Sequence, residues 1–598
     1  MKGITEKAVN NKEESIFGNI CSQLLTTGII MKISQVGSGF LDSLMVSVML
    51  GSAAMAAQGL SLPIFSMAGM LSALLAGGMQ VLCAERLGDC DKDGFSRIFS
   101  CAVMIGGALS LVFSVLLFIF PLPMAHLLGA NESDPVLLHG TIAYIHGLAP
   151  MFFIGNITSL LIPAVQMDGG NKIVRAGAIA QAISDIILNF LTIKLGMGLF
   201  GVGLSTTAAY AVNNAFMLTH FLKKDRMLKL VMPKTSPGEL FNMVMLGSTK
   251  LVKRFGEILK MLIVNRVILA LGGSLAMTAL ATRNSLGELV FIVADGLMIA
   301  VGITTGICFG EQNEEGLHEV GHYAHKITFL SFATISALLI LLAWPISIVY
   351  GHGDPGLRKM IIFSCFALAA DVPLYTLVTS RISYLQGLHK VKAMQLTAFA
   401  QAFLCVLISV AAFGVLFGTY GVIASFTFSN LLLLIATYVS LQIKNKKLIL
   451  TASDMMNLPS DFLLDKSDVL SKRVHTKAEA ADASESIRRF CLQHGFDKKH
   501  AYFASLAVEE LTINTVEYGF PANQSKQPYV ALRACFKDGK LVIRLQDNCP
   551  QFDPVERIKE NIMSDDPTCN IGLRMLRPAA RMLTYIRTFE TNMLMIEM

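Results

Sequence analysis

The feature that most constrains this chain is a change of solvent partway along it. From about Ile16 to Gln442 apolar stretches dominate, and from about Lys466 to Met598 charged and apolar residues mix as in a water-soluble domain. The apolar stretches are long enough to cross a hydrocarbon core, which takes roughly 20 helical residues. Windowed hydropathy gives about twelve of them, centred near residues 32, 68, 108, 152, 182, 210, 260, 292, 335, 370, 402 and 430. With 53% hydrophobic and 15% charged residues, an ordinary soluble protein of this length is excluded and the lipid bilayer becomes the first partner.

No short hydrophobic segment with a small-residue cleavage site precedes the first span, so no removable signal peptide is expected. The eleven cysteines are scattered without a Cys-x-x-Cys pair, which argues against a disulfide framework or a zinc site. Charge distribution orients the chain. Lys223, Lys224, Arg226, Lys229 and Lys234 fall between spans six and seven, Arg381, Lys390 and Lys392 flank the loop between ten and eleven, and Lys444, Lys446 and Lys447 follow the last. The opposite loops carry little beyond Lys194, Arg358 and Lys359. The positive-inside rule then predicts a multi-pass plasma-membrane protein with both termini cytoplasmic. Basic clusters beside spans belong to the membrane face, so no nucleic-acid partner is expected.

The membrane part echoes itself. Gly51-Ser-Ala-Ala-Met-Ala-Ala recurs as Gly273-Ser-Leu-Ala-Met-Thr-Ala, and Leu87-Gly88-Asp89 as Phe309-Gly310-Glu311, both at an offset of 222. Phe200-Gly201-Val202 with Ser205 returns as Tyr420-Gly421-Val422 with Ser425, at an offset of 220. A near-common offset among separate matches marks an internal repeat. Six helices per repeat bring each half back to the side it entered, giving parallel repeats; transporters built so bind substrate between the halves and rock around it.

Phe40-Leu41-Asp42, Gly51 with Ala56-Ala57, and Arg86-Leu87-Gly88 resemble the first two helices of the multidrug and toxic compound extrusion (MATE) family. Gln166-Met-Asp-Gly-Gly-Asn-Lys172, Leu188-Asn189 and Gly198-Leu-Phe-Gly-Val-Gly-Leu-Ser-Thr206 are similar to that family's helices four to six. The resemblance covers about 430 residues and implies export of small cationic or amphipathic compounds in exchange for H⁺ or Na⁺. A charge at mid-membrane is expensive and usually functional, which singles out Asp42, Asp185, Glu257 and Asp295. Asp42 matches the family's acidic position in helix one. In helix five the family has Asn and then Asp four residues on, whereas this chain has Asp185 and then Asn189. Positions i and i+4 share a helix face, so Asp185 can reach the same cavity, with Asn189 and Thr206 supplying neutral oxygens. Glu257 has the spacing of a helix-seven acidic residue in one family branch; it is equally placed to pair with Lys253 and Lys260 at helical spacing. Asp295 and Asp371 are weaker candidates that face the cavity, snorkel near an end or cap a broken helix.

Beyond Lys447 the periodicity predicts helices over 479–494, 500–518 and 572–582, and strands over 529–536, 540–546, 583–588 and 592–597: a sheet with one helical layer. Val508-Glu-Glu-Leu-Thr-Ile-Asn514 and Asp547-Asn-Cys-Pro-Gln-Phe-Asp-Pro554 resemble the ATP-binding domain of anti-sigma-factor serine kinases, in the GHKL ATPase group. The resemblance implies Glu510 as general base, Asn514 as Mg²⁺ ligand and Asp547 as acceptor for the adenine amino group. Phe552, Asp553 and Gly572 complete the nucleotide set. Cys549 and Asn570 stand where that family has glycine. Oxygen ligands suit Mg²⁺ held together with ATP phosphates.

The expected organisation is a cytoplasmic tail (1–15), a six-helix half (16–231), a linker (232–242), a second six-helix half (243–445), a linker (446–465) and an α/β sandwich of GHKL type (466–598). The leading functional expectation is an ion-coupled antiporter whose ATP-binding domain senses ATP or phosphorylates a cytosolic regulatory protein. A transporter-like receptor with a kinase output and a flippase of lipid-linked precursors are the alternatives. ATP-driven pumping is disfavoured, since no Gly-x-x-x-x-Gly-Lys followed by Ser or Thr occurs.

Overall fold

The computed structural model describes all residues except 1–14, 131, 133, 224–225, 233–235, 352–353, 446–464, 524–527, 538 and 557–579. The chain divides into two compact units, a helical one described from Ser15 to Asn445 and a mixed one described from Asp465 to Met598.

In the helical unit, starts are set by short polar side chains and proline. Ser15 accepts from Gly18 N, Asp134 precedes Pro135, Asp354 precedes Pro355, and Ser236 forms a capping box with Glu239. Each satisfies backbone donors that a helix start leaves open. Among the described residues nine helices are long and apolar enough to cross a membrane. They are fewer than the expected twelve because some run through a break and two further helices fall outside the nine. Pro237–Val290 is interrupted at Gly273 and Cys405–Asn445 at Gly418. Leu62–Gly88 and Gly198–Thr219 are also helical but are not among the nine. Leu341, Trp344 and Val415 stand exposed on the outside, as lipid contact requires.

The sequence repeat is a backbone repeat. Gly51 (φ 89°) and Gly273 (φ 60°) break their helices at equivalent positions, as do Gly198 (φ 56°) and Gly418 (φ 58°). These left-handed or otherwise extended backbones suit residues without a Cβ. Side-chain bonds repeat too: Ser114 Oγ donates to Ala149 O and Ser336 Oγ to Ala369 O, each at 2.7 Å. Gly88 and Gly310 mark where the halves meet. A Cβ on Gly88 would lie 2.1 Å from Ile307 O, and one on Gly310 2.1 Å from Glu85 O. The contact is reciprocal, as expected of two repeats related by an axis.

The second unit is a five-stranded antiparallel sheet of order β1-β2-β3-β5-β4, with β1 Val469–Val474, β2 Val530–Lys537, β3 Lys540–Asp547, β4 Met582–Thr588 and β5 Thr591–Glu597. Helices Lys477–Gln493 and Lys498–Asn514 bury Ala480, Ile487, Phe490 and Val508 against Leu532, Ile543, Leu594 and Ile596. This is the predicted sheet with one helical layer. Two details differ. The edge strand β1 was not anticipated, because its Ser471-Lys472-Arg473 reads as polar; and Met582 opens β4 instead of closing a helix, while 572–579 lie outside the described residues.

Candidate functional site

The amino-terminal half gathers four of the residues that the sequence singled out. Asp42 lies at the end of Ile16–Met45, just before a π-helical turn, Val46–Leu50, that leads into the break at Gly51. Such turns are common at functional positions. Asn189 Nδ2 donates to Asp42 Oδ1 at 2.6 Å and to Asp185 Oδ1 at 3.5 Å. The Asp42 and Asp185 carboxyls hydrogen-bond each other, and the Thr206 hydroxyl hydrogen-bonds Asp185. All three of Asp42, Asp185 and Asn189 are buried. Among the described residues neither carboxylate has a Lys or Arg within ion-pair distance. Asn189 turns its nitrogen to Asp42 and so donates, and its buried Oδ1, the oxygen expected from the sequence, has no hydrogen-bond partner among the described residues. Buried Tyr144, hydrogen-bonded to Gln58 beside these carboxyls, escaped the sequence reading because a tyrosine in a span carries no charge signal.

The other three membrane carboxylates lie in a different electrostatic setting. Asp371 accepts from Arg283 Nη2 at 3.0 Å and from Asn430 Nδ2 at 2.8 Å, with Arg283 and Asp371 both buried. It neither snorkels nor caps a helix. Arg283 was overlooked although an Arg inside an apolar span is itself a signal; its guanidinium also lies 4.1 Å from the Phe426 ring centre. Asp295, in the first turn of Ile292–Gly310, pairs with Lys32 at 3.1 Å. Glu257 bonds Arg254 at 3.1 Å, three residues away, and not Lys253 or Lys260. Those two lysines instead face rings, Lys253 that of Tyr375 and Lys260 that of Phe426, each at 5.5 Å.

In the second unit the sheet register puts Asp547, at the end of β3, opposite Asn592 on β5. Asn592 Nδ2 and the Cys549 amide donate to Asp547 Oδ1 at 2.7 and 2.9 Å. Burial nonetheless holds the Asp547 carboxyl above the usual aspartate range, those bonds opposing it. Burial, and then the Asp547 charge, push the Cys549 thiol up to about 12. Cys549 occupies the expected glycine position without left-handed backbone: it is absent from the described positive-φ residues, and its sulfur packs on Gly519. Glu510 and Asn514 lie one turn apart on Lys498–Asn514, both half-buried. Asp553 Oδ1 accepts from Val555 N and Glu556 N, capping the turn that follows, and Phe552 is exposed. Gly572 and Asn570 lie outside the described residues.

Apolar helices long enough to cross a membrane, a duplicated helical backbone and a buried carboxyl pair together describe a polytopic membrane unit of transporter type. Comparison with known proteins agrees. The MatE family model matches residues 28–192 and 251–369, and the histidine kinase-like ATPase domain model matches 475–598. The multidrug resistance protein NorM of Photobacterium profundum is 25% identical over 344 residues, 55% of this chain and 73% of NorM. A MATE crystal structure in complex with MaL6 superposes with a TM-score of 0.66 at 18% identity, covering 73% of this chain and 99% of that one. The Vibrio cholerae MATE transporter VcmN gives 0.66 at 13% identity, covering 72% and 97%. Residues 28–192 and 251–369 are therefore of the MatE family, within a multi-pass membrane unit, and residues 475–598 are a histidine kinase-like ATPase domain.

Proposed function

We propose that this protein is a secondary antiporter that exports small organic molecules in exchange for H⁺ or Na⁺, with an ATP-binding domain that modulates transport. The observation that carries this reading is the buried Asp42–Asp185 carboxyl pair with Asn189 and Thr206. A carboxyl pair can hold one proton, or lose it and take a cation among its oxygens, and its charge state biases which face of the bundle is open. Because Asp42 sits beside the π turn and the break at Gly51, a change of charge there acts on a segment already free of regular helix bonding. Glu257, Asp295 and Asp371, each paired with a cation, serve better as fixed counter-charges than as exchange sites.

For the second unit, a carboxylate held at the end of β3 can accept an exocyclic amine, and Glu510 and Asn514 would hold Mg²⁺ together with the phosphates of bound ATP. Both termini are assigned to the cytoplasm, where ATP is available. Phosphate-transfer chemistry would require Glu510 to take a proton from a hydroxyl on a regulatory protein.

The test is flux in proteoliposomes holding the full chain, under imposed sodium or proton gradients. Efflux that follows one gradient and is lost on Asp42→Asn is expected; flux indifferent to both gradients would overturn antiport. Nucleotide binding unaffected by Asn514→Ala would remove the assignment of the ATP site.

A further inference from the structure

We infer that the substrate carries a negative charge, bound by a stripe of lysines in the carboxy-terminal half; this rests on the antiporter reading above. Lys250, Lys253, Glu257 and Lys260 recur at three- and four-residue steps along Pro237–Val290, so they share one helix face about 15 Å long. That face looks inward. The Lys250 side chain lies 3.4 Å from where a Cβ on Gly77 of the opposite half would be. Lys253 hydrogen-bonds Tyr375 and lies over its ring, and Lys260 shares the Phe426 ring with buried Arg283.

The carboxylates nearby are already committed. Asp295 pairs with Lys32, Asp371 with Arg283 and Glu257 with Arg254. Among the described residues no carboxylate lies within ion-pair distance of Lys250, Lys253 or Lys260. Arg283 keeps a buried Nε without a hydrogen-bond partner among the described residues. An unpaired ammonium in a membrane interior is costly and is retained where it meets a counter-charge.

A cavity of about 190 Å³ lies among Ile16–Met45, Pro135–Met167, Asn171–Lys194 and Gly198–Thr219, touched from the other half by Ile299. Its lining is hydroxyls, amides and apolar groups, including Thr158, Gln181, Tyr210 and Asn213, and its one charged lining residue among those described is Lys32. Lys32 is itself paired with Asp295, at 3.1 Å. A lysine stripe faced with aromatic rings suits an organic anion with an apolar body: rings take the body, ammonium groups the carboxylate or sulfonate. An organic cation, implied by the family resemblance, would meet repulsion along the whole stripe.

The experiment uses two dyes of similar ring body and opposite charge, carboxyfluorescein and rhodamine, with the full chain in nanodiscs of zwitterionic lipid for binding and in proteoliposomes for flux. Carboxyfluorescein should bind at least about tenfold more tightly than rhodamine. The preference should disappear in the Lys250→Gln, Lys253→Gln, Lys260→Gln triple variant and survive in the corresponding triple Lys→Arg variant, which keeps the charge and controls for folding. Equal binding of both dyes, preference for rhodamine, binding of neither, or an unchanged preference in the triple Gln variant would each overturn the anion assignment. Displacement of carboxyfluorescein by anionic lipid in the nanodisc would reassign the stripe to lipid headgroups and overturn it likewise. Carboxyfluorescein binding without gradient-driven flux would leave the anion site standing and remove the antiporter, so the two readings fail separately.

Discussion

Asp42 and Asp371 are both buried carboxylates in membrane helices of one repeated architecture, yet they keep opposite company. Asp42 shares hydrogen bonds with a second carboxyl and an amide, whereas Asp371 is held by a guanidinium and an amide. The backbones around them repeat down to the breaks at Gly51 and Gly273. Duplication therefore supplied the same scaffold twice, and side-chain chemistry set the halves apart: one holds a carboxyl pair without a cation, and the other holds fixed charge of both signs with an excess of lysine.

The largest expected effect comes from breaking the fixed-charge side. Arg283→Leu strands Asp371 without its cation and should destabilise the purified protein by about 3–5 kcal/mol, read as a lower melting temperature. Adding Asp371→Asn should restore most of that loss. If the single variant melts like the parent, Asp371 is not held by Arg283 and the contrast between the halves fails.

Asp42→Asn is the matching change on the exchange side, with a different outcome. The amide can still bond Asp185, so stability should stay within about 1 kcal/mol, while gradient-driven flux falls at least about tenfold. A variant that loses stability in proportion to flux would make Asp42 a packing residue.

The scaffold symmetry has its own test at Gly88 and Gly310. Each added methyl meets a backbone carbonyl at 2.1 Å, and overpacking of this kind costs about 1–3 kcal/mol. Gly88→Ala and Gly310→Ala should therefore lower the melting temperature by similar amounts. A large cost at one and none at the other would show that the halves do not meet symmetrically.

Much of this was legible in the chain because the signals were local. The solvent change, the repeat offsets and the strand alternation of the second unit all follow from hydropathy and spacing, and the breaks fall on the repeated glycines. What escaped turned on rotamers and on partners distant in sequence. Glu257 has lysines at helical spacing, but its rotamer takes it to Arg254; Asp371 depends on Arg283, 88 positions away. The bond that Asn189 donates to Asp42 spans 147 positions, which helical spacing does not reveal. Edge strand β1 was hidden because an edge strand with one wet face reads like a linker.

Asp547 supplies a third setting, a half-buried carboxylate with no ion pair among the described residues and no second carboxyl bonded to it, and it extends the comparison to the smallest effect. Its carboxyl is held above the usual aspartate range by burial, which outweighs the bonds from Asn592 and Cys549. A group whose folded value is raised favours the folded state below its unfolded pKa of about 3.9. That contribution is lost as pH rises through the folded value. Asp547→Asn cannot ionise, and its amide oxygen can still accept from Asn592 and the Cys549 amide. The variant should therefore melt no lower than the parent at neutral pH, with any gain shrinking as pH falls toward about 4. Binding of a fluorescent adenine nucleotide to the full chain should weaken about tenfold or more, because an amide NH₂ replaces an acceptor for the exocyclic amine. Unchanged nucleotide affinity in a stable variant would leave Asp547 as a structural tie between β3 and β5, and would move the adenine contact elsewhere in the domain.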